Sequence, residues 1–153
     1  MSFRTQLELL GRHFKQNGIA VVRNNILRFE ETMTTKVLVV DDSVVSRKML
    51  IRSLPKEWDI SVEQAVNGQD AVEKYHQGLA DVMFLDLTMP VMDGYQVLEN
   101  LQKEGLNTFI IVVTADIQPE AEERVKKLGA MAFVKKPVNM DKVMPILKEY
   151  GIL

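Results

Sequence analysis

The chain has 153 residues, 46% hydrophobic and 26% charged, and its 19 Lys and Arg against 21 Asp and Glu leave a formal net charge of −2. That length suits one domain with its own core, and the charge balance leaves no basic excess for holding nucleic acid by bulk electrostatics. The absence of Cys excludes disulfides, thiolate metal sites and a cysteine nucleophile, and two His, His13 and His76, are too few for a histidine-rich zinc site.

Residues 1–35 carry a helically spaced stripe, Phe3, Leu7, Leu10 and Phe14, and short apolar clusters around Asn24 and Asn25. They read as an N-terminal extension, a leader or a docking segment, because Met33 begins a chain that needs nothing before it. No apolar run approaches the ~20 residues that span a bilayer, and nothing behind Arg4 resembles a secretory signal. The expected address is cytoplasmic, with no membrane partner.

From residue 36 to 153, short apolar runs alternate with segments of helical spacing, the pattern of a parallel sheet covered by helices. The runs at 37–40, 60–65, 82–85, 109–113 and 131–134 predict five strands. Val45, Met49, Leu50 and Leu54 predict the inward face of a first helix that Pro55 ends. Asn67-Gly68 turns into a second helix facing inward through Ala71, Val72 and Tyr75. Asp93 caps a third, with Val97, Leu98 and Leu101 inward and Gly105 at its end. The fourth has Pro119 near its start, acidic residues early, basic residues late and Gly129 after it, in keeping with the helix dipole. Asn139 opens the last helix, in which Pro145 removes a backbone hydrogen bond and is expected to cause a bend.

In a doubly wound sheet, function gathers outside the carboxyl ends of the strands. The first run ends in Asp41-Asp42-Ser43 and the third in Asp86-Leu87-Thr88-Met89-Pro90. In the flavodoxin-like order 2-1-3-4-5, with helices on both faces, those ends are neighbours and three carboxylates converge. Two of them at ~4 Å already repel by ~1 kcal/mol in water and by several times that where water is thinned. A hard divalent cation removes the repulsion, and Mg²⁺, which takes one or two carboxylates plus other oxygens, suits the site. A lone strand-end Asp is most often a helix cap, but two adjacent ones with a third from another strand exceed that role. Thr114 ends the fourth run and Lys136-Pro137 follows the fifth. Beside the acids, an ammonium can clamp a transferring phosphoryl group and a hydroxyl can bond one of its oxygens.

These residues, Asp41-Asp42, Asp86, Thr114 and Lys136-Pro137, at spacings of 44, 28 and 22 residues from Asp42 onward, make residues 36–153 resemble a response regulator receiver domain of two-component systems. The resemblance is to standalone receivers of the chemotaxis type. It implies that Asp86 accepts a phosphoryl group from a histidine kinase or phosphotransfer protein. It also implies that Asp42, Asp86 and the backbone carbonyl of Thr88 hold Mg²⁺, that Asp41 acts largely through water, and that Lys136 pairs with Asp86. Such domains promote their own phosphorylation, from small donors such as acetyl phosphate too, and their own dephosphorylation, without being enzymes in the usual sense.

The resemblance further implies that Thr114 and Phe133 form the switch, Thr114 moving toward the phosphoryl oxygens and Phe133 entering the space left. The Lys136-Pro137 bond is expected to be cis, and Thr88 and Asp116 lie where family members vary their dephosphorylation rate. With nothing after the last helix, output is expected to be contact with a downstream protein through helix 4, strand 5 and helix 5. The alternative from another class is a haloacid dehalogenase-type phosphatase, which also uses a strand-end Asp, Mg²⁺ and a Lys. It needs an Asp-x-Asp spacing that Asp41-Asp42-Ser43 lacks. A flavodoxin-like electron carrier needs a hydroxyl-rich loop where Val44-Val45 stands.

Overall fold

The computed structural model describes residues 34–115 and 118–153, so the stripe from Phe3 to Phe14, the remaining features of residues 1–33 and Asp116 lie outside the described residues. Strands β1 (Thr35–Val40), β2 (Ile60–Ala65), β3 (Val82–Leu85), β4 (Phe109–Thr114) and β5 (Ala132–Lys135) alternate with helices α1 (Val44–Arg52), α2 (Gly68–His76), α3 (Gly94–Lys103), α4 (Pro119–Lys127) and α5 (Met140–Glu149). The strands form one parallel sheet in the order β2-β1-β3-β4-β5, the doubly wound topology expected. The last strand sits one residue later than its apolar run, ending at Lys135. Thr35–Leu153 is a compact unit of its own.

The apolar runs are continuous because both faces of the sheet are covered. Leu38, Val40, Met83, Leu85, Ile110 and Val112 pack on one side against Ala71 of α2, Val97, Leu98 and Leu101 of α3 and Val125 of α4. Val37, Val39, Val82, Phe84, Ile111 and Val113 pack on the other against Leu50 of α1 and Val143 and Leu147 of α5. Each fully buried Val or Leu contributes roughly 1.5–3 kcal/mol, so these two layers hold the strand ends in place. Among the described residues no helix is long and apolar enough to cross a membrane.

The helix starts follow the expected punctuation. Asn67, Asp93 and Asn139 each accept the amide of the residue three positions on, and Gln96 completes a capping box with Asp93. Helix α5 runs on through Pro145. The expected inward face of α1 is corrected: Val45 and Met49 are exposed, and Arg47 and Leu50 are the buried helix residues, with Leu54 buried just beyond its end. The inward stripe is Arg47, Leu50, Ile51 and Leu54, at i, i+3, i+4 and i+7, and a charged residue at its head hid it from a hydrophobic pattern.

The β3–α3 loop, which carries Asp86, is tightly folded. Gly94 N donates to the Leu87 carbonyl at 3.0 Å, and a Cβ at position 94 would lie 2.3 Å from the Asp86 carbonyl oxygen and 2.8 Å from Leu87 Cα. At the loop tip Val91 takes φ +69°, costly for a β-branched residue, and its side chain is exposed. Gly94→Ala is expected to lower unfolding free energy by about 1–3 kcal/mol in urea titrations, since backbone rather than a flexible side chain must yield. An unchanged midpoint would show that the loop behind Asp86 is slack.

Candidate functional site

The ladder continues one step past the ends of β1 and β3. Asp41 N donates to the Ala65 carbonyl at 3.2 Å and Asp86 N to the Val40 carbonyl at 3.0 Å, so both acids leave the sheet from adjacent, bonded positions. Asp41, Asp42 and Asp86 each present a carboxylate oxygen within 4.8 Å of the others. Asp41 and Asp86 are buried at 6% exposure, whereas Asp42 faces solvent. A hard-oxygen donor set this tight, open on one side, fits an octahedral cation that keeps several waters.

Lys136 joins this cluster. The backbone of Lys136 donates to the Thr114 carbonyl at 2.9 Å, and its ammonium lies 2.7 Å from Asp41 Oδ2 and 3.6 Å from Asp86 Oδ1. In this arrangement the closer partner of Lys136 is therefore Asp41 rather than Asp86. Asp41 Oδ1 accepts the Ser43 amide at 2.8 Å, so both oxygens of Asp41 are engaged within the protein. Asp86 Oδ1 accepts the Leu87 amide at 2.9 Å. A cavity of about 350 Å³ is lined by Asp41, Asp86 and Lys136 together with Met49, Leu50 and Val138.

Thr114 is buried at the end of β4. Thr88 is exposed two residues past Asp86, and Phe133 lies on β5 opposite Val112, half-buried against the core. The Lys136–Pro137 peptide bond is cis.

Burial and the neighbouring Asp41 carboxylate push the Asp86 carboxyl up from 3.8 to about 6, with Asp42 adding to the rise. Lys136 and the Leu87 amide pull the other way without cancelling it.

Two basic residues that the sequence reading missed brace the site. Arg47 is buried on α1 and donates from Nη1 to the Asp41 carbonyl at 2.7 Å and from Nε to Gln64 Oε1 at 2.9 Å. Lys142 on α5 donates to the carbonyls of Lys135 and Pro137, at 3.0 and 2.7 Å, on either side of Lys136. A charged residue five positions after Asp42, where an apolar one would continue the helix stripe, was the available signal for Arg47. Lys142 gave none.

The chain matches the response regulator receiver domain family over residues 37–148. It is 32% identical to the chemotaxis protein CheY of Halobacterium salinarum over 76% of this chain and 97% of that protein. It is 42% identical to a protein-glutamate methylesterase/protein-glutamine glutaminase of Koribacter versatilis over 69% of this chain but 30% of that one. Among solved structures, a chain of the CheX–CheY–BeF₃–Mg²⁺ complex from Borrelia burgdorferi superposes with a TM-score of 0.72 at 29% identity, covering 82% of this chain and 95% of that one. Nothing in these matches supports a haloacid dehalogenase-type phosphatase.

The raised Asp86 carboxyl sets a pH dependence in metal-free protein. Between about pH 4 and 6 the folded state holds a proton that the unfolded chain has released, so stability falls as pH rises through this window. Relative to Asp86→Asn in a chelator, the wild type is expected to lose about 2 kcal/mol between pH 4 and 7 in urea titrations. A pH-independent difference between the two proteins would contradict the assigned shift.

Proposed function

Because this chain belongs to the response regulator receiver domain family and is a phosphorylation-regulated two-component signalling switch, we propose that Asp86 is its phosphoacceptor. The observation that carries this is a buried carboxylate at a strand end, with two further carboxylates and the Lys136 ammonium converging on it. The receiver comprises the expected residues 36–153 together with Thr35, which opens β1, and the residues before these are an extension to it.

Asp42 and Asp86, with the backbone carbonyl of Thr88, would hold Mg²⁺ directly. Asp41 acts through water, which agrees with both of its oxygens being bonded to Ser43 and Lys136. When bound, the cation neutralises the converging carboxylates and the negative charge of the phosphoryl group.

The donor is a histidine kinase or phosphotransfer protein. An Asp86 carboxylate oxygen attacks phosphorus as the P–N bond of the donor phosphohistidine breaks, and the departing imidazole takes up a proton. With its carboxyl near 6, Asp86 is ionised at neutral pH and ready to attack. Lys136 shifts from Asp41 toward the phosphoryl oxygens, replacing one anionic partner with another. The Thr114 hydroxyl turns toward the same oxygens, and Phe133, with no phenol hydroxyl, reports by moving inward. The phosphoryl group carries about −1.5 to −2 where the carboxylate carried −1, and this gain of negative charge drives the repacking.

The chain is a signalling domain that promotes its own phosphotransfer and hydrolysis in the cytoplasm, without membrane or nucleic acid. It signals by contact with a downstream protein through α4, β5 and α5.

Incubation with acetyl phosphate and Mg²⁺ is expected to add one phosphoryl group by intact mass, stable in acid and labile in base. Asp86→Asn abolishes it, and Lys136→Met slows it by at least tenfold, on the order of removing one electrostatic stabiliser. A phosphoryl group retained by Asp86→Asn would overturn the assignment.

A further inference from the structure

Burying a guanidinium is costly unless it is well bonded, yet Arg47 sits at 8% exposure with no carboxylate within ion-pair distance among the described residues. Its place is unfavourable in a second way. It is the fourth residue of α1, near the positive end of the helix dipole, and no acidic residue occupies the first turn. Helix stability therefore does not account for a cation at this position.

Its hydrogen bonds do. Nη1 donates to the backbone carbonyl of Asp41, the first peptide beyond β1, and Nε donates to Gln64 on the neighbouring strand β2. The Asp41 amide is in turn held by Ala65, the residue after Gln64. One planar, rigid group thus fixes the peptide joining Asp41 to Asp42 against two strands and a helix. That peptide sets where the Asp42 side chain leaves the backbone. Asp42 is the exposed member of the acidic trio and lacks the burial that holds Asp41 and Asp86.

We infer that Arg47 is a positioning residue that orients the Asp41–Asp42 corner for divalent cation binding. This rests on reading the acidic trio as the Mg²⁺ site. A guanidinium near the trio could also act only through its charge, and the two roles predict opposite signs. A charge-only role disfavours the incoming cation, so removing Arg47 would tighten Mg²⁺ binding. A positioning role predicts weaker binding.

Calorimetric titration of metal-free protein with Mg²⁺, paired with urea unfolding in a chelator, separates these. Wild type must first bind Mg²⁺, and failure there sinks the reading of the trio rather than the role of Arg47 alone. Given that binding, affinity is expected to fall in the order wild type, Arg47→Lys, Arg47→Met, with the last about tenfold weaker, the range seen when residues that orient metal ligands are removed. Gln64→Met keeps the guanidinium and releases one of its two anchors. It is expected to give a smaller loss in the same direction, and it carries the test if Arg47→Met does not fold. Tighter binding by Arg47→Met overturns the proposal. So does lowered stability with unchanged Mg²⁺ affinity across the set, which would make Arg47 a structural brace only.

Discussion

Three carboxylates brought to within 4.8 Å of one another are the constraint around which this molecule is arranged. Two like charges ~4 Å apart cost ~1 kcal/mol in water and about 4 kcal/mol near a protein surface, and two of these acids are buried. One ammonium, from Lys136, lies against them at 2.7 and 3.6 Å and offsets part of the repulsion. Burial, and after it the repulsion that remains, raises the Asp86 carboxyl to about 6. A site left under-neutralised in this way has affinity for further positive charge.

The sheet order makes this convergence possible. Adjacent β1 and β3 bring residues 41 and 86 together, with Val40 opposite Leu85, and β5 comes in beside β4 so that Lys136 follows Thr114 across the rim. Close backbone approach then fixes the details. Gly94 lets the loop after β3 close to within 2.3 Å of where a side chain would begin, and Gly68 N bonds the Met92 carbonyl in the same loop at 2.9 Å. Arg47 and Lys142 hold the loops after β1 and β5 by their carbonyls. Among the described residues no buried side-chain polar atom lacks a hydrogen-bond partner, so the acids project from a well-bonded frame.

From residue 36 onward the sheet could be read almost directly, because strands covered on both faces need unbroken apolar runs such as 82–85 and 109–113. The acids were legible because two adjacent carboxylates at one strand end and a third at another exceed what a helix cap needs. Helix α1 was misread where a charged residue took an inward position, so Val45 and Met49 were assigned a core that Arg47 occupies. Hydrophobic periodicity cannot see a buried cation whose partners are carbonyl oxygens. The preference of Lys136 for Asp41 depends on differences of about an ångström, and the left-handed backbone at Val91 depends on loop closure. Neither is encoded in spacing.

The central claim is that the side chains of Asp42 and Asp86 share one cation beside the Lys136 ammonium. Anomalous diffraction from a crystal soaked in Mn²⁺, a spectroscopically visible substitute for Mg²⁺, tests it most directly. The account predicts a single strong peak in contact with both carboxylates, with Asp41 one water further away. A peak bound elsewhere, or none at this site with both carboxylates well ordered, would contradict it.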